Sequence, residues 1–146
     1  FHRQFLADGR VRLFEGSGGY GPGEQRRDFV SIEDVVSVNL DFLDHPDRSG
    51  VFNVGSGRAS TYNAIATATI NAIRAHRGET AATTAELVAS GAIAYIPFPP
   101  ALAGKYQSYT CADLTRLRAA GYSAPTLALD EGVRRYVDWL MARPPA

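Results

Sequence analysis

Residues 27–55, RDFVSIEDVVSVNLDFLDHPDRSGVFNVG, contain the pattern that decides the fold class. Residues 27–31 are typical of a strand, and Ser31, followed three residues later by Asp34, is an acidic variant of the capping box that starts a helix. Apolar residues then recur at helical spacing as far as a proline, and residues 50–55 form a short β-rich run between glycines. A strand, a helix and a strand within about thirty residues predict a parallel crossover in a layered α/β sheet.

Outward from this unit, the sequence alternates between short strands and helices. The last helix offers two i,i+4 ion pairs, Asp130 with Arg134 and Glu131 with Arg135. The other predicted elements, in chain order, are a helix to about residue 8, a strand over 11–15, a glycine-dense loop over 16–23, a helix from residue 60 or 61 to about 78, a short helix over 86–89, a strand over 94–98, a helix capped by Thr110 and Asp113 that runs through Ala120, and a helix over 127–141.

Composition excludes several classes of protein. The chain has 146 residues, 45% of them apolar and 21% charged, and no apolar run approaches the ~18 residues that would span a bilayer. Fifteen basic residues balance fifteen acidic ones, so no global field favours nucleic acid or an acidic membrane. The single cysteine, Cys111, excludes an intrachain disulfide and fits a reducing cytoplasm, and the three histidines lack metal-ligand spacing.

The start of the chain predicts a piece of a longer protein. The sequence begins at Phe1 without an initiator methionine or a cleavable apolar segment. Phe1, Phe5 and Leu6 already lie at helical spacing, so we expect the chain to begin inside a helix.

The glycine-rich stretch GSGGYG at residues 16–21 matches the dinucleotide-binding pattern G-x-G-x-x-G only formally. That fingerprint needs glycines that open a helix, whereas the next predicted element here is a strand. Two interpretations remain open. The loop is either mobile backbone beside a ligand, with Phe14 and Glu15 carried into a cleft, or a plain surface turn.

Three single residues are candidates for ligand contact. The planar guanidinium of Arg27 can hold a diphosphate, although an internal ion pair with Asp28 on a solvated face is the simpler explanation. Tyr106 can stack on a sugar or base, or it can be a half-buried core residue. His2 can donate to a sugar hydroxyl, or it can pack on the surface. Cys111 lies at a predicted helix start, but no base neighbours it in sequence, so we expect inert packing.

One catalytic pair is excluded outright. Short-chain hydride-transfer enzymes use Tyr-x-x-x-Lys, in which the lysine lowers the pKa of the tyrosine. The only lysine here is Lys105, and the residue four positions before it is Ala101. The sequence therefore contains no Tyr-x-x-x-Lys pair, and we predict no catalytic residue in this chain.

Several strings resemble the ADP-glyceromanno-heptose 6-epimerase family, within the extended short-chain dehydrogenase/reductases. RDFV and FNVG are shared by many nucleotide-sugar enzymes of that superfamily, whereas FEGS and YIPFP narrow the resemblance. The strings that carry it are LFEGS (13–17), RDFV (27–30), DVV (34–36), FNVGSG (52–57), YIPFP (95–99), YQ (106–107) and LRAAGY (117–122).

The resemblance implies a fold and an organisation. The chain would be the C-terminal part of such an enzyme, with residues 27–57 completing the dinucleotide-binding sheet and residues 58–146 forming mainly the substrate lobe. The N-terminal half, with its NADP site and Tyr-x-x-x-Lys pair, would lie upstream. We expect this chain alone to be inactive, and apolar surface made to meet that half to be exposed.

The resemblance also implies a function: NADP-dependent epimerisation at C6 of ADP-heptose for lipopolysaccharide inner-core synthesis, in a cytoplasmic enzyme that forms homo-oligomers. The implied substrate-binding residues are His2, Phe14, Glu15, Gly16, Ser17, Arg27 and Tyr106. No metal, nucleic-acid or membrane partner is expected. Two alternatives stay open, another nucleotide-sugar epimerase or dehydratase and a non-catalytic nucleotide-sugar or protein-interaction module.

Overall fold

Short strands and longer helices alternate along residues 1–143, the part of the chain that this computed structural model describes. In chain order the elements are α1 (His2–Asp8), β1 (Val11–Phe14), β2 (Arg26–Asp28), α2 (Ile32–Asp44), β3 (Ala59–Thr61), α3 (Tyr62–His76), α4 (Thr84–Ala89), β4 (Ile93–Ile96), a 3₁₀ turn (Pro100–Leu102), α5 (Thr115–Ala119) and α6 (Leu129–Met141). None of the helices in these residues combines the length and apolar character that crossing a bilayer requires.

The larger core forms around α3. Thr61 caps this helix as predicted, because its Oγ1 accepts a hydrogen bond from the Ala64 amide at 3.0 Å. Ile70 and Ile73 are fully buried against the parallel strand pair β1–β4, in which Val11 is opposite Ile93. Because β1 and β4 pair in parallel, their carboxyl ends lie at the same edge of the sheet. The chain between them contains the glycine loop and the elements up to α4.

The second sheet carries Arg27. β2 pairs antiparallel with β3, with Arg27 opposite Ser60. On the other side of β2, the Arg26 amide donates to Ser108 O at 2.8 Å, and the Thr110 amide donates to Arg26 O at 3.1 Å. β2 is therefore held between two segments that come from distant parts of the chain.

The predicted strand over residues 50–55 does not form. Residues 51–54 have no strand partner among the described residues, and the parallel crossover from 27–31 to 50–55 is therefore absent. Phe52 and Val54 instead pack through their side chains against a small core built on Val38, Leu117 and Tyr122. Apolar β-rich character favoured a strand, but a strand needs a neighbour to receive its hydrogen bonds.

Helix α2 starts at Ser31 as predicted, but the expected box with Asp34 is wrong. Ser31 Oγ accepts from the Glu33 amide at 3.3 Å. Asp34 is buried, and its carboxylate accepts from the Leu127 amide at 3.1 Å, which joins α2 to the segment before α6. Val38 faces the small core, whereas Leu43 is 74% exposed.

Helix α5 begins at Thr115, later than the predicted start at Thr110. The amides of Thr110 and Ala112 donate to Arg26 O and to the Asp28 carboxylate, so the backbone there is committed to β2. Asp113 Oδ1 accepts from the Thr115 amide at 2.9 Å. Cys111 is exposed in this extended segment and does not lie at a helix start.

The ion pairs of α6 differ in part from the prediction. Arg135 and Glu131 form the expected i,i+4 pair at 2.7 Å. Arg134 contacts Glu131 at 2.8 Å and Asp138 at 2.7 Å, and the predicted pair with Asp130 is not among the ion pairs of the described residues. The choice of partner depends on rotamers, which the spacing alone does not determine.

Candidate functional site

Arg27 stacks over Tyr106. Its Cζ lies 5.0 Å from the centre of the Tyr106 ring, and its Nη1 donates to Arg26 O at 3.2 Å. This is the geometry of a cation–π contact, which holds the guanidinium in place while leaving donors for another acceptor.

Arg27 differs from the other partly buried arginines in its charge environment. Arg48 pairs with Asp41 at 3.0 Å, and Arg74 pairs with Glu79 at 3.1 Å. Arg27 is the only arginine of intermediate burial that forms no ion pair within residues 1–143. A half-buried cation without a carboxylate has unused capacity to bind an anion.

Three aromatic rings form a cluster beside this guanidinium. The ring centres of Phe14 and Phe98 are 5.5 Å apart, those of Phe98 and Tyr106 are 5.4 Å apart, and those of Phe14 and Tyr106 are 6.3 Å apart. All three contacts are edge-on. Phe14 ends β1 and Phe98 follows β4, so the parallel pairing brings these two rings to one edge. Tyr106 follows the 3₁₀ turn, where its amide donates to Leu102 O at 3.0 Å.

Tyr62 completes this group from the first position of α3. Burial, and then the nearby hydroxyl of Tyr62, raise the pKa of Tyr106 to about 12, although the charge of Arg27 opposes the increase. The Tyr62 ring also lies edge-on to Phe29, at 5.6 Å between ring centres. Tyr106 therefore remains a neutral hydroxyl at physiological pH.

The predicted contact segment, Phe14 to Ser17, continues from β1 into the glycine loop. Phe14 O accepts from the Gly23 amide at 3.0 Å, so the loop closes back on the strand end. Gly16 is needed for this turn, because a Cβ there would overlap the carbonyl oxygen of Tyr20. Glu15 is exposed, and its amide extends the pairing with β4 through Ile96 O at 2.9 Å.

His2 contacts a different element. Its Nε2 lies 3.4 Å from Sδ of Met141 at the end of α6, and burial is the main cause that lowers the pKa of His2. The structure thus brings Phe14, Arg27 and Tyr106 into one cluster with Glu15, Gly16 and Ser17 following directly from it. Among the residues it describes, no hydrogen bond joins His2 to that cluster.

Asp28 does not pair with Arg27, contrary to the simpler explanation left open above. Its carboxylate accepts from the amides of Ser56 at 2.7 Å, Gly57 at 2.9 Å and Ala112 at 2.9 Å, and also from the Ser56 hydroxyl. Burial opposes ionisation, but these donors prevail and hold the pKa of Asp28 below its usual value. Asp28 therefore fixes β2, and Arg27 has no counterion within residues 1–143.

The sequence did not predict roles for Tyr62, Phe98 or Asp28 in the site. Tyr62 matched the apolar stripe of α3, and its hydroxyl gave no separate signal. Phe98 lies in the YIPFP string, which carried the resemblance but had no residue assigned to the site. Asp28 was considered only as a partner of its neighbour, because its true donors are 28 and 84 positions away.

Two cavities of the protein lie away from Arg27 and Tyr106. A cavity of about 920 Å³ lies between the start of α2 and α6, with Phe29, Leu129 and Trp139 among its lining residues. Another, of about 630 Å³, lies along α3 and α6. Neither of these two cavities is lined by Arg27 or Tyr106.

The described residues do not fit a dinucleotide. A Gly-rich turn that opens a helix would be required, and the turn at residues 16–21 leads to β2 instead. We therefore assign no nicotinamide-binding residue and no redox step to this chain.

Comparisons with a family model and with solved structures both point to sugar epimerases and dehydratases. The model of the NAD dependent epimerase/dehydratase family matches residues 4–55, which include β1, the glycine loop, β2 and α2. Sugar epimerases and dehydratases are among the solved structures that resemble the chain.

Three of these structures illustrate the likeness. An NAD-dependent NDP-hexosamine 5,6-dehydratase, TunA, of tunicamycin biosynthesis is 25% identical with a TM-score of 0.63, over 98% of this chain and 39% of that one. UDP-N-acetylglucosamine 4-epimerase from Methanobrevibacter ruminantium M1 is 20% identical with a TM-score of 0.64, over 97% and 37%. dTDP-glucose 4,6-dehydratase from Bacillus anthracis str. Ames is 18% identical with a TM-score of 0.62, over 96% and 37%.

The chain therefore has the α/β fold of part of an extended short-chain epimerase/dehydratase, and this confirms the predicted fold class. It spans less than two fifths of the length of these matched structures.

Proposed function

We propose that this chain supplies the nucleotide-sugar-binding surface of an NADP-dependent epimerase, with ADP-heptose as the substrate and C6 as the centre that is inverted. The observation that carries the proposal is Arg27, a partly buried guanidinium that forms no ion pair with the residues that the structure describes and is stacked on Tyr106. A diphosphate is the natural acceptor for such a group, because two of its oxygens can meet the planar fork of donors.

The neighbouring residues suit the other parts of a nucleotide sugar. The Tyr106 hydroxyl, kept neutral by its raised pKa, can donate to an oxygen of the ligand. Phe14 and Phe98 provide apolar faces for a sugar or base. The segment from Glu15 to Ser17 adds the Glu15 carboxylate and the Ser17 hydroxyl, which can contact the hydroxyls of a sugar. His2 enters this proposal only through the family resemblance.

The choice of ADP-heptose rests on the FEGS and YIPFP strings. In this proposal, the nicotinamide and the Tyr-x-x-x-Lys pair belong to a separate dinucleotide-binding portion, and the chain alone does not catalyse the reaction. The enzyme would act in the cytoplasm on precursors of the lipopolysaccharide inner core, and as a homo-oligomer.

A second candidate is an epimerase or dehydratase for a different nucleotide sugar. It is favoured by the similar structures, which include a UDP-N-acetylglucosamine 4-epimerase and a dTDP-glucose 4,6-dehydratase. Calorimetric titration of the full-length protein with ADP-, UDP- and dTDP-sugars separates the candidates. Tightest binding of the ADP-sugar supports the first, and preference for UDP or dTDP overturns it. Binding without any epimerase or dehydratase activity would indicate a non-catalytic module.

The role of Arg27 is tested in the same titration. Replacing Arg27 with Ala should weaken nucleotide-sugar affinity by about 1.5 to 3 kcal/mol, the range for hydrogen bonds to charged groups, or about 10- to 150-fold. Arg26 is the matched control, since it is exposed and adjacent on the same strand, where successive side chains face opposite sides. Equal effects of Arg26→Ala and Arg27→Ala, or none from either, would remove Arg27 from the site.

A further inference from the structure

We propose that Gln25 and Asn63 are positioning residues, two buried side-chain amides that hold the Phe14–Ser17 segment and its loop in the shape that meets the nucleotide sugar. The inference rests on the proposed function for its binding readout. Its structural part, that these amides fix the loop, stands on hydrogen bonds within the chain.

Gln25 secures the near end of the loop. It is 2% exposed, and its Nε2 donates to Glu15 O at 2.9 Å. The backbone carbonyl of Gln25 accepts a hydrogen bond from the backbone amide of Tyr62 at 3.2 Å, which anchors Gln25 to the start of α3. A side-chain amide buried to this degree stabilises the fold only when its polar atoms have hydrogen-bond partners. The partner of the Gln25 amide is the backbone of the Phe14–Ser17 segment.

Asn63 secures the far end from the first turn of α3. It is 7% exposed, its Nδ2 donates to Pro22 O at 3.0 Å, and the same nitrogen contacts the Glu24 carboxylate. Its Oδ1 accepts from the Tyr95 hydroxyl at 3.0 Å, which fixes the orientation of the amide. The Asn63 backbone amide donates to Gly23 O at 3.0 Å.

The contact between Asn63 and Gly23 is very close. Gly23 has a φ of 67°, and a Cβ at this position would overlap the Asn63 side-chain amide. The Gly23 amide then donates to Phe14 O at 3.0 Å. A continuous set of hydrogen bonds thus runs from α3 through the loop to the strand end beside the aromatic cluster.

Such fixation has a direct consequence for binding. A loop that is already ordered loses less conformational entropy when it meets a ligand, so a given set of contacts produces a higher affinity. The glycine-rich composition makes the loop flexible when it is not held, and the two amides counter that freedom.

The test uses isosteric variants of the full-length protein, Gln25→Glu and Asn63→Asp. Neither carboxylate can donate to the loop carbonyls, and Asp at 63 also repels Glu24. We expect faster deuterium exchange over residues 16–24 and a KM for the nucleotide sugar about tenfold higher. We expect kcat to stay within about twofold, because the reacting groups lie outside this loop.

Asn71→Asp is the matched control. Asn71 is also an amide on α3, and it donates to Ala82 O at 2.9 Å on the side away from the glycine loop. Its substitution should leave exchange over 16–24 and KM unchanged. Tyr95→Phe removes only the hydroxyl that orients Asn63, so it should raise deuterium exchange over residues 16–24 and KM by smaller amounts than Asn63→Asp. It replaces Asn63→Asp in the test if that variant does not fold.

The outcomes separate the inference from the proposed function. Unchanged exchange over 16–24 in Gln25→Glu and in the Asn63 or Tyr95 variant overturns the inference, whatever the ligand. Faster exchange with unchanged KM also overturns it, because the loop would be held but would play no part in binding. If Arg27→Ala has no effect while exchange and KM rise in the amide variants, the inference stands and the role of Arg27 is wrong.

Discussion

At the scale of single residues, Asp28 and Arg27 show how neighbours in sequence can have unrelated roles. In a strand, successive side chains point to opposite faces. Asp28 faces the turn at residues 55–57 and the Ala112 amide, while Arg27 faces Tyr106. Gly55 approaches the Asp28 carboxylate so closely that a Cβ would overlap it.

Removal of the Asp28 charge should destabilise the protein. Asp28→Asn replaces an ionised acceptor, and we expect the free energy of unfolding at pH 7 to fall by about 1.5 kcal/mol, the lower end of the range for charged hydrogen bonds. Urea denaturation measures it. Asp44→Asn, an exposed change on α2, is the control and should have little effect.

The same carboxylate predicts a pH dependence with a definite sign. Because folding lowers the pKa of Asp28, its contribution is fully present above the pKa of the unfolded chain and is lost as pH falls through the lower folded value. The stability difference between wild type and Asp28→Asn should therefore narrow below about pH 4. A difference that is constant between neutral pH and pH 3 would contradict this.

The hydroxyl of Tyr62 should control the ionisation of Tyr106. Tyr62→Phe keeps the ring contact with Phe29 but removes the hydroxyl that raises the Tyr106 pKa, so we expect that pKa to fall below about 12. Ultraviolet titration of tyrosinate measures the change, and Tyr106→Phe assigns the signal. Tyr122→Phe, in the other core, should leave it unchanged.

At the scale of elements, α3 unites the core with the site. Its buried face forms the larger core, and its first two residues, Tyr62 and Asn63, reach the aromatic cluster and the loop. The first turn of α3 therefore determines where Tyr62 and Asn63 lie in the site, and the cap by Thr61 fixes that turn.

Loss of the Thr61 cap should be measurable. Thr61→Ala leaves the Ala64 amide without its acceptor, and we expect about 1 kcal/mol of destabilisation in thermal or urea unfolding. Thr61→Ser retains the hydroxyl and should recover most of it. Equal losses in both variants would mean that the methyl group, and not the cap, is responsible.

The sequence predicted most elements because their signals are local. The helices α2, α3 and α6 follow from apolar periodicity and from caps or prolines next to them. The strand over 50–55 and the early start of α5 were wrong for one reason. Both depend on which distant backbone groups accept or donate hydrogen bonds, and residues 108–112 pair with β2 across about 80 positions of sequence.

At the scale of the whole molecule, apolar side chains remain uncovered on one side. Leu40 and Leu43 of α2 and the neighbouring Val51 are exposed, with Val51 at 81%. Tyr136 and Trp139 of α6 stack on each other at 5.6 Å and are about half exposed. The clearest example of exposed apolar surface is α2, and an interface with a missing N-terminal half stays a prediction for it.

This surface should bind hydrophobic dye and promote self-association. Serine at Val36, Leu40 and Leu43 together should lower dye fluorescence and the apparent mass in sedimentation, with each change shifting stability by less than about 0.5 kcal/mol. Val38→Ala is the contrasting control, since Val38 is buried on the same helix and its truncation should cost about 1 kcal/mol or more. Dye binding that survives the triple change would contradict this account of the surface.

The sequence by itself determined the α/β class, the main helices, the absence of a Tyr-x-x-x-Lys pair and Arg27 as a candidate anion-binding residue, because composition, periodicity and motif spacing are local properties. Only the tertiary structure decided that Asp28 bonds to distant amides and not to Arg27, that Tyr62 and Phe98 join Tyr106, and that two buried amides hold the glycine loop. Each of these depends on the partners that hydrogen-bond donors and aromatic rings meet across long sequence separations, and packing alone selects those partners.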